Sequence, residues 1–288
     1  MIETIEEAPL CLPFRHVAET VSARLPEGSC DAHFHVFEPG APLISPRSYT
    51  PRQAPISAWK QMALALGIAR GVLVQPSVYG TDNGVLLNAL RSDPDSLRGV
   101  VVVSPDVTGV ELDSMHAAGV RGIRINLRNP GGQGLESVPV LAERLKALGW
   151  HIQIQAGSEH FASIAKLAGG FGVTCVVDHA GFCDLTDGGR TAVQQLQRLM
   201  DSGNVFVKLS APYRLARPPA YVGFAEVCHA LAQSHPDRIL WASDWPHTEL
   251  FDEVPEDTAL AANYLDWFED DGLRHRFFVS NAAALYWA

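Results

Sequence analysis

The sequence has few cysteines, and their spacing suits neither a disulfide framework nor a zinc finger. Its 288 residues include five cysteines, an odd number, and no two of them form a CxxC pair. Cys30 and Cys175 lie in apolar runs typical of buried strands, where a thiol stays reduced. Because disulfides are rare in reducing compartments, this usage favours a cytoplasmic protein.

The sequence also lacks a long apolar run, a recognisable signal peptide and an excess of basic residues. No stretch approaches the ~20 apolar residues that cross a bilayer. The N-terminus, MIETIEEAPL, has no basic region followed by an apolar one. Lys and Arg number 22 against 32 Asp and Glu, which gives a formal net charge of -10. We therefore expect neither a membrane nor a nucleic acid as a partner.

From residue 30 onward, short β-rich runs alternate with stretches of helical spacing. The predicted strands are 30–36, 71–77, 99–104, 122–127, 151–156, 173–179, 205–210 and 238–244. The predicted helices are 56–67, 82–92, 109–118, 137–148, 158–169, 189–202, 219–234 and 256–269. Strands that alternate with helices pair in parallel through crossover connections. Eight such units favour an α/β protein with a single-domain (β/α)8 TIM barrel over an open eight-stranded sheet.

No Gly/Ser-rich linker or block of like charge divides the chain. We therefore predict an N-terminal extension over 1–29 and one barrel domain over 30–288. The segment 282–287 is expected to form a last helix. The sequence does not decide between a monomer and a homo-oligomer.

Several predicted strands alternate apolar with polar residues, although strands of a parallel barrel are usually apolar on both faces. Polar residues recur at every second position in 122–128, 151–156 and 207–210, and Gln75 and Ser77 share one face of 71–77. The apolar set should meet the helices, so the polar set should face the barrel axis. This interior is either a satisfied structural network or the base of a site at the carboxyl ends of the strands.

Titratable side chains stand at the ends of three predicted strands. His33 and His35 lie two residues apart and so share one face of a strand, His179 ends the sixth strand, and Asp244 ends the eighth. Parallel strands open at one end of a barrel, so these four groups should surround one cavity. A single histidine is more often a core residue, but a converging set is typical of a reactive site.

Two chemistries suit this set. Asp244 can take a proton from water while the histidines stabilise negative charge on a carbonyl oxygen. The same four side chains could instead bind one Zn²⁺ and leave a position for water. Arg124, Arg128 and Arg214 lie near the same mouth, and arginine is suited to carboxylate recognition, so an anionic ring substrate is expected. The alternative is that these arginines pair with neighbouring acidic residues.

Five segments in order resemble the lactonase branch of the amidohydrolase superfamily, of the amidohydrolase-2 type. They are DAHFHVF, VLVQPSVYGTDN, GVRGIRINL, VVDHAG and RILWASDWPH, and the resemblance covers about residues 28–287. Within that branch, the sequence resembles the lactonases that act on 2-pyrone-4,6-dicarboxylate. The resemblance implies a (β/α)8 barrel that opens a cyclic ester.

The resemblance also assigns roles to residues. Asp244 is implied to activate water, and His33, His35 and His179 to polarise the carbonyl. The residues implied to hold the substrate are Tyr49, Ser77, Arg124, Arg214 and His247, with Arg128 in place of a further arginine. Gln155 stands where the pyrone lactonases have a tyrosine, so it is a substrate-binding candidate and leaves the identity of the lactone open.

The resemblance bears on metal binding as well. The superfamily often bridges two metals with a Lys or Glu at the end of strand 4 or 5, where this chain has Asn126, Arg128 and Gln155. We expect no required cofactor, the alternative being a single Zn²⁺ at His33, His35, His179 and Asp244. The predicted function is hydrolysis of a small anionic lactone. The alternatives are a lactone isomerase, a metal-dependent decarboxylase and a non-catalytic barrel that binds a small acid.

Overall fold

The structure is a computed structural model that describes residues 8–18, 21 and 23–288. The remaining positions of the predicted extension 1–29, and with them most of the segment used to predict the absence of a signal peptide, lie outside the described residues. Among the residues that are described, no helix has the length and apolar character needed to cross a bilayer.

Eight parallel strands form one sheet in sequence order, and helices alternate with them. The strands are β1 (Cys30–Phe34), β2 (Arg70–Val74), β3 (Leu97–Val101), β4 (Val120–Asn126), β5 (His151–Gln155), β6 (Cys175–Val177), β7 (Val205–Ser210) and β8 (Ile239–Ala242). The helices are α1 (Ile56–Leu66), α2 (Gly84–Ser92), α3 (Gly109–Ala117), α4 (Val138–Ala147), α5 (Phe161–Phe171), α6 (Arg190–Asp201), α7 (Val222–Ser234), α8 (Asp257–Trp267), α9 (Asp271–His275) and α10 (Asn281–Tyr286). Each predicted strand and helix overlaps an observed one.

Backbone hydrogen bonds just beyond β8 bring the last strand back to the first. Asp244 N donates to His33 O at 3.0 Å, and His35 N donates to Trp245 O at 2.8 Å. The predicted (β/α)8 barrel is therefore confirmed. The closure also places the ends of β1 and β8, which carry three of the predicted site residues, side by side.

The core has two layers. The larger lies between the sheet and the helices, where Ile123 and Ile125 of β4 and Ile152 and Ile154 of β5 are buried. The smaller lies inside the barrel near its amino end, where small apolar strand residues meet Tyr286 of α10. The last predicted helix is confirmed, and its contact with this inner layer closes the floor of the barrel.

The described part of the N-terminal segment packs beside the barrel mouth. Cys11 N donates to Thr50 O at 2.9 Å and Leu12 N donates to Leu250 O at 3.0 Å. Phe14 packs on Trp245 with ring centroids 4.9 Å apart. All five cysteines are described, and all are buried thiols without a disulfide. That residues 1–29 form a separate extension stays a prediction.

Candidate functional site

The carboxyl ends of the strands surround a small polar cavity. Eight of the predicted site residues line it: His35, Tyr49, Ser77, Arg124, Gln155, His179, Arg214 and Asp244. Four further residues line it that were not among the predicted site residues: Asn126, Asn129, Thr248 and Glu249. The structure thus collects most of the predicted set at the barrel mouth.

The four predicted catalytic side chains lie side by side at the base of the cavity. His33 Nε2 lies 3.2 Å from His35 Nε2 and 4.0 Å from Asp244 Oδ1. His179 Nε2 lies 3.5 Å from the same oxygen of Asp244. His33 itself is fully buried below the cavity wall and reaches the site through this contact.

Backbone conformation at the strand ends aims two of these side chains. Asp244 and His179 have φ of 63° and 50°, in the left-handed region that non-glycine residues rarely adopt. Such strain is often found at functional sites, where surrounding contacts hold it in place. Here the hydrogen bond from Asp244 N to His33 O, 3.0 Å long, fixes the strained position.

The tautomer of His35 follows from its backbone contact. His35 Nδ1 lies 2.7 Å from the carbonyl oxygen of Val74. A carbonyl oxygen only accepts, so Nδ1 carries the proton and Nε2 presents its lone pair toward His33 and the cavity. This lone pair can accept a proton or bind a cation.

A buried ionic network supports His33 from below. Asp178 Oδ1 lies 3.2 Å from His33 Nδ1 and 3.3 Å from Lys208 Nζ. Gln153 Nε2 donates to Asp178 Oδ2 at 3.0 Å, and Lys208 Nζ donates to Gln153 Oε1 at 2.6 Å. Polar side chains therefore do fill the barrel axis, and each of these four finds partners. This network is structural and lies below the site, whereas the polar side chains nearer the barrel mouth face the cavity.

The two oxygens of Asp244 have different surroundings. Oδ2 accepts hydrogen bonds from Tyr213 Oη at 2.7 Å and Arg214 Nε at 3.0 Å. Oδ1 accepts none from the described part of the chain and faces the imidazoles of His33 and His179. One oxygen is thus held by the protein, and the other is directed at the cavity.

The pKa values define the charges in the site. Burial alone would raise the pKa of Asp244, but Arg214 and the nearby imidazoles outweigh it and hold that pKa well below its usual range. Burial lowers the pKa of His35 to about 3 and that of His179 to about 4, and it lowers the pKa of His33 as well. Near neutral pH the carboxylate is therefore ionised and the three imidazoles are neutral.

Two predicted substrate-binding residues are not brought to the cavity. Arg128 is exposed, with its guanidinium 3.9 Å from the ring centroid of Phe182. His247 is buried behind Tyr213, with Nδ1 3.0 Å from the Tyr213 hydroxyl and Nε2 3.0 Å from Asp257 Oδ1. Their proposed contact with substrate stays a prediction, and His247 lies where it can position Tyr213.

Three of the four predicted donors lie close enough together to hold a single metal ion. Ligands about 2.0–2.1 Å from a tetrahedral zinc lie about 3.3 Å from one another. Among His33, His35 and Asp244, His33 Nε2 lies 3.2 Å from His35 Nε2 and 4.0 Å from Asp244 Oδ1, so these three side chains form a candidate donor group. His179 Nε2 lies 3.5 Å from Asp244 Oδ1 and is the candidate fourth ligand. Asp178 also lies near His33 and His179, but Lys208 and Gln153 occupy its oxygens.

A second, bridged metal does not fit the described residues. The ends of β4 and β5 present the amides of Asn126 and Gln155 to the cavity, where a bridging ligand would need a carboxylate or a lysine. Gln155 is already engaged, since its Oε1 accepts from Arg124 and its Nε2 donates to Asn129 Oδ1 at 3.3 Å.

Comparisons with known proteins give consistent matches. The amidohydrolase family model matches residues 30–287. A 4-sulfomuconolactone hydrolase from Hydrogenophaga intermedia is 32% identical, over 99% of this chain and 97% of that protein. A 2-pyrone-4,6-dicarboxylate hydrolase from Comamonas testosteroni is 32% identical, over 92% of each chain. The solved structure of a proposed 2-pyrone-4,6-dicarboxylic acid hydrolase from Pseudomonas putida is 34% identical, with a TM-score of 0.81 over 91% of this chain and 98% of that one.

Proposed function

The chain belongs to the amidohydrolase family, and on that premise we propose that it hydrolyses the ring ester of a small lactone that carries an anionic group. The observation that carries the proposal is the position of Asp244. Its Oδ1 faces the imidazoles at 3.5 and 4.0 Å while Oδ2 is held by Tyr213 and Arg214. A water molecule at Oδ1 would lie between a proton acceptor and the groups that polarise a carbonyl.

Arg124 is the group proposed to hold the substrate's anion. It lines the cavity, its Nη1 donates to Gln75 O at 2.9 Å, and its nearest carboxylate is Asp178 at 4.0 Å. Arg214 is less available because its Nη2 lies 2.9 Å from the carboxylate oxygen Asp244 Oδ2, whereas Arg124 Nη2 donates to the neutral amide of Gln155. An anion held by Arg124 would fix the ring with its ester carbonyl near the imidazoles.

The proposed reaction has two steps, addition of water and release of the ring oxygen. The water oxygen bonds to the lactone carbonyl carbon as Asp244 Oδ1 takes the water proton, and the carbonyl electrons move onto its oxygen. The oxyanion electrons then re-form the carbonyl as the ring C–O bond breaks, and the leaving oxygen receives the proton held by Asp244. His179 Nε2 can donate to the oxyanion when Ser210 Oγ, 2.8 Å from Nδ1, donates to the ring. The low pKa of Asp244 makes it a weak base at rest, so proton transfer should accompany bond formation.

A single divalent cation would be held by His33, His35, His179 and Asp244. When bound, it would polarise the carbonyl oxygen and lower the pKa of the attacking water. The roles of Arg124, Tyr213 and Arg214 stay the same with or without it. We propose at most one ion per chain, and elemental analysis of protein purified without chelator would decide between one ion and none. We also propose a cytoplasmic location on the basis of the five buried thiols.

The function is tested with a panel of anionic lactones followed by mass spectrometry of the product. Hydrolysis adds one water to the substrate mass, an isomerase leaves the mass unchanged, and a decarboxylase releases CO₂. Binding of a lactone without turnover would instead support a small-acid-binding barrel. Ring opening with gain of one water is the expected result.

A further inference from the structure

The charges that line the cavity do not favour a substrate with two anionic groups. Four charged residues lie on its wall: Arg124, Arg214, Asp244 and Glu249. Arg214 and Asp244 neutralise each other, since Arg214 Nη2 lies 2.9 Å from Asp244 Oδ2. The nearest carboxylate to Arg124 is Asp178 at 4.0 Å, which already pairs with Lys208 at 3.3 Å. This leaves Arg124 as one cation and Glu249 as one anion for the substrate to meet.

Glu249 is held in place at the entrance. It has φ of 60°, its Oε1 accepts from Asn129 Nδ2 at 2.6 Å, and its backbone N donates to Cys11 Sγ at 3.3 Å. Its half-buried side chain lines both the inner cavity and a larger groove outside it. Among the described residues, no lysine, arginine or histidine nitrogen lies within 4.0 Å of its carboxylate, so nothing there cancels its charge at ion-pair distance.

The rest of the wall is polar but uncharged. The amides of Asn126, Asn129 and Gln155 line it together with the hydroxyls of Ser77 and Thr248. Amides and hydroxyls both donate and accept, which suits hydroxyl groups and carbonyl oxygens on a ligand. A second carboxylate, in contrast, would have to approach Glu249 in a small cavity, where like charges repel strongly.

We propose that Glu249 is a specificity-determining residue that selects lactones with one carboxylate and rejects those with two. Arg124 takes the single carboxylate, and the Glu249 carboxylate accepts a hydrogen bond from a hydroxyl on the opposite side of the ring. The substrate class is therefore a hydroxylated monocarboxylate lactone. This inference rests on the proposed lactone hydrolysis for its kinetic consequence, but the binding preference follows from the charges alone.

The binding test uses three stable ring acids that differ in one substituent: benzoate, 3-hydroxybenzoate and benzene-1,3-dicarboxylate. Calorimetry on the wild-type protein should rank their affinities as 3-hydroxybenzoate, then benzoate, then the dicarboxylate. In Glu249→Gln the dicarboxylate should bind about tenfold more tightly, while 3-hydroxybenzoate should lose a few-fold because a neutral acceptor replaces a charged one.

Glu253→Gln is the matched control. Glu253 lines the outer groove, its side chain is 77% exposed, and its substitution makes the same change in net charge. It should leave all three affinities within about twofold, because exposed charges are screened. Tighter binding of the dicarboxylate than of benzoate to the wild type would overturn the proposal. Equal changes in affinity for the dicarboxylate in Glu249→Gln and Glu253→Gln would also overturn it.

The kinetic arm compares 2-pyrone-6-carboxylate with 2-pyrone-4,6-dicarboxylate. The wild type should have a higher kcat/KM on the monocarboxylate than on the dicarboxylate. In Glu249→Gln the ratio of these two kcat/KM values should fall about tenfold. A wild type that prefers the dicarboxylate contradicts the role of Glu249. If neither lactone is hydrolysed but the three ring acids bind in the expected order of affinity, the proposed hydrolysis of these lactones is wrong. The proposed selection by Glu249 is then still supported.

Discussion

At the scale of single residues, the two oxygens of the Asp244 carboxylate have different roles in the site. Asp244 Oδ2 is bound by Tyr213 at 2.7 Å and by Arg214 at 3.0 Å, which leaves Oδ1 directed at the imidazoles. Burial raises the pKa of Tyr213 well above its usual value, so its hydroxyl keeps its proton and donates it to Asp244. Tyr213 therefore acts as a positioning residue for the proposed base.

Substitution Tyr213→Phe tests this positioning role. Loss of a hydrogen bond to a charged group should lower kcat/KM about tenfold, mainly through kcat, since the substrate anion is held elsewhere. The pKa of Asp244 should rise as it loses a donor, so activity should begin to fall at a higher pH on the acid side. Steady-state kinetics across pH measure both effects.

Tyr221→Phe is the control, because Tyr221 lines the outer groove and packs on Trp267 with centroids 6.3 Å apart. It should change kcat/KM by less than about twofold. Unchanged kinetics in Tyr213→Phe would show that Tyr213 does not position Asp244.

Much of the site could be predicted from the sequence, but not all of it. His33, His35, His179 and Asp244 follow strands directly, so strand order alone brings them together. Glu249 could not be found this way, because its direction depends on a left-handed backbone in a loop and on Asn129, 120 residues away. The same dependence on loop geometry explains why Arg128 and His247 lie off the cavity wall.

At the scale of elements, the barrel is fastened between β1 and β8 by one buried carboxylate. Asp31 Oδ1 accepts from Ser243 N at 2.9 Å, and Oδ2 accepts from Ser243 Oγ at 2.6 Å and from Trp59 Nε1 at 3.0 Å. Asp31 thus joins the first strand, the first helix and the end of the last strand. This closure carries His33 and Asp244 to within reach of each other.

Substitution Asp31→Ala should therefore destabilise the fold. It leaves buried donors of Ser243 and Trp59 without an acceptor, at a cost of about 2–4 kcal/mol in the free energy of unfolding. Urea denaturation monitored by circular dichroism measures it. Asp113→Ala removes an exposed carboxylate from α3 and should cost less than about 0.5 kcal/mol. A loss no larger than this control would show that Asp31 does not fasten the barrel.

Strand positions were predicted to within a few residues, and the errors have a physical cause. The third strand was predicted at 99–104 but pairs only over Leu97–Val101. Beyond that point the Asn83 side chain replaces the neighbouring strand, since Val102 N donates to Asn83 Oδ1 at 3.1 Å and Val102 O accepts from Asn83 Nδ2 at 2.8 Å. An apolar run cannot show where side-chain bonds take over from sheet bonds.

At the scale of the whole molecule, buried histidines should make stability depend on pH. Burial lowers the pKa of His35 and His151 to about 3 and that of His179 to about 4. Between these values and about 6.5, the unfolded chain binds more protons than the folded one, so stability falls as pH decreases. Asp31 opposes this in part, because burial raises its pKa to about 6 and the folded state then binds the extra proton.

The free energy of unfolding should therefore decrease between pH 6.5 and pH 4, each histidine contributing up to about 1.4 kcal/mol per pH unit. His151 allows a test away from the site, since it packs on Tyr286 at the barrel floor and its ring nitrogens have no partner among the described residues. In His151→Leu the decrease should be shallower, whereas His229→Gln, at an exposed position of α7, should match the wild type. Equal slopes in all three proteins would contradict the prediction.

The sequence predicts the fold and the enzyme class more fully than it predicts the identity of the substrate. The TIM barrel, the family and the lactonase class are confirmed, because eight strand–helix units and five ordered segments extend over nearly the whole chain. The identity of the lactone depends on a few cavity residues, such as Gln155 and Glu249, whose partners come from distant loops. Sequence pattern does not reveal those partners.

Asp244 Oδ1 is proposed to activate the water that opens the lactone, and the kinetics of Asp244→Asn test this role. An amide cannot take the water proton, so kcat on an accepted lactone should fall about 10²–10⁴-fold while circular dichroism shows a retained fold. Asp266→Asn, an exposed substitution on α8, should keep wild-type kcat. Wild-type turnover by Asp244→Asn would show that Asp244 is not the base.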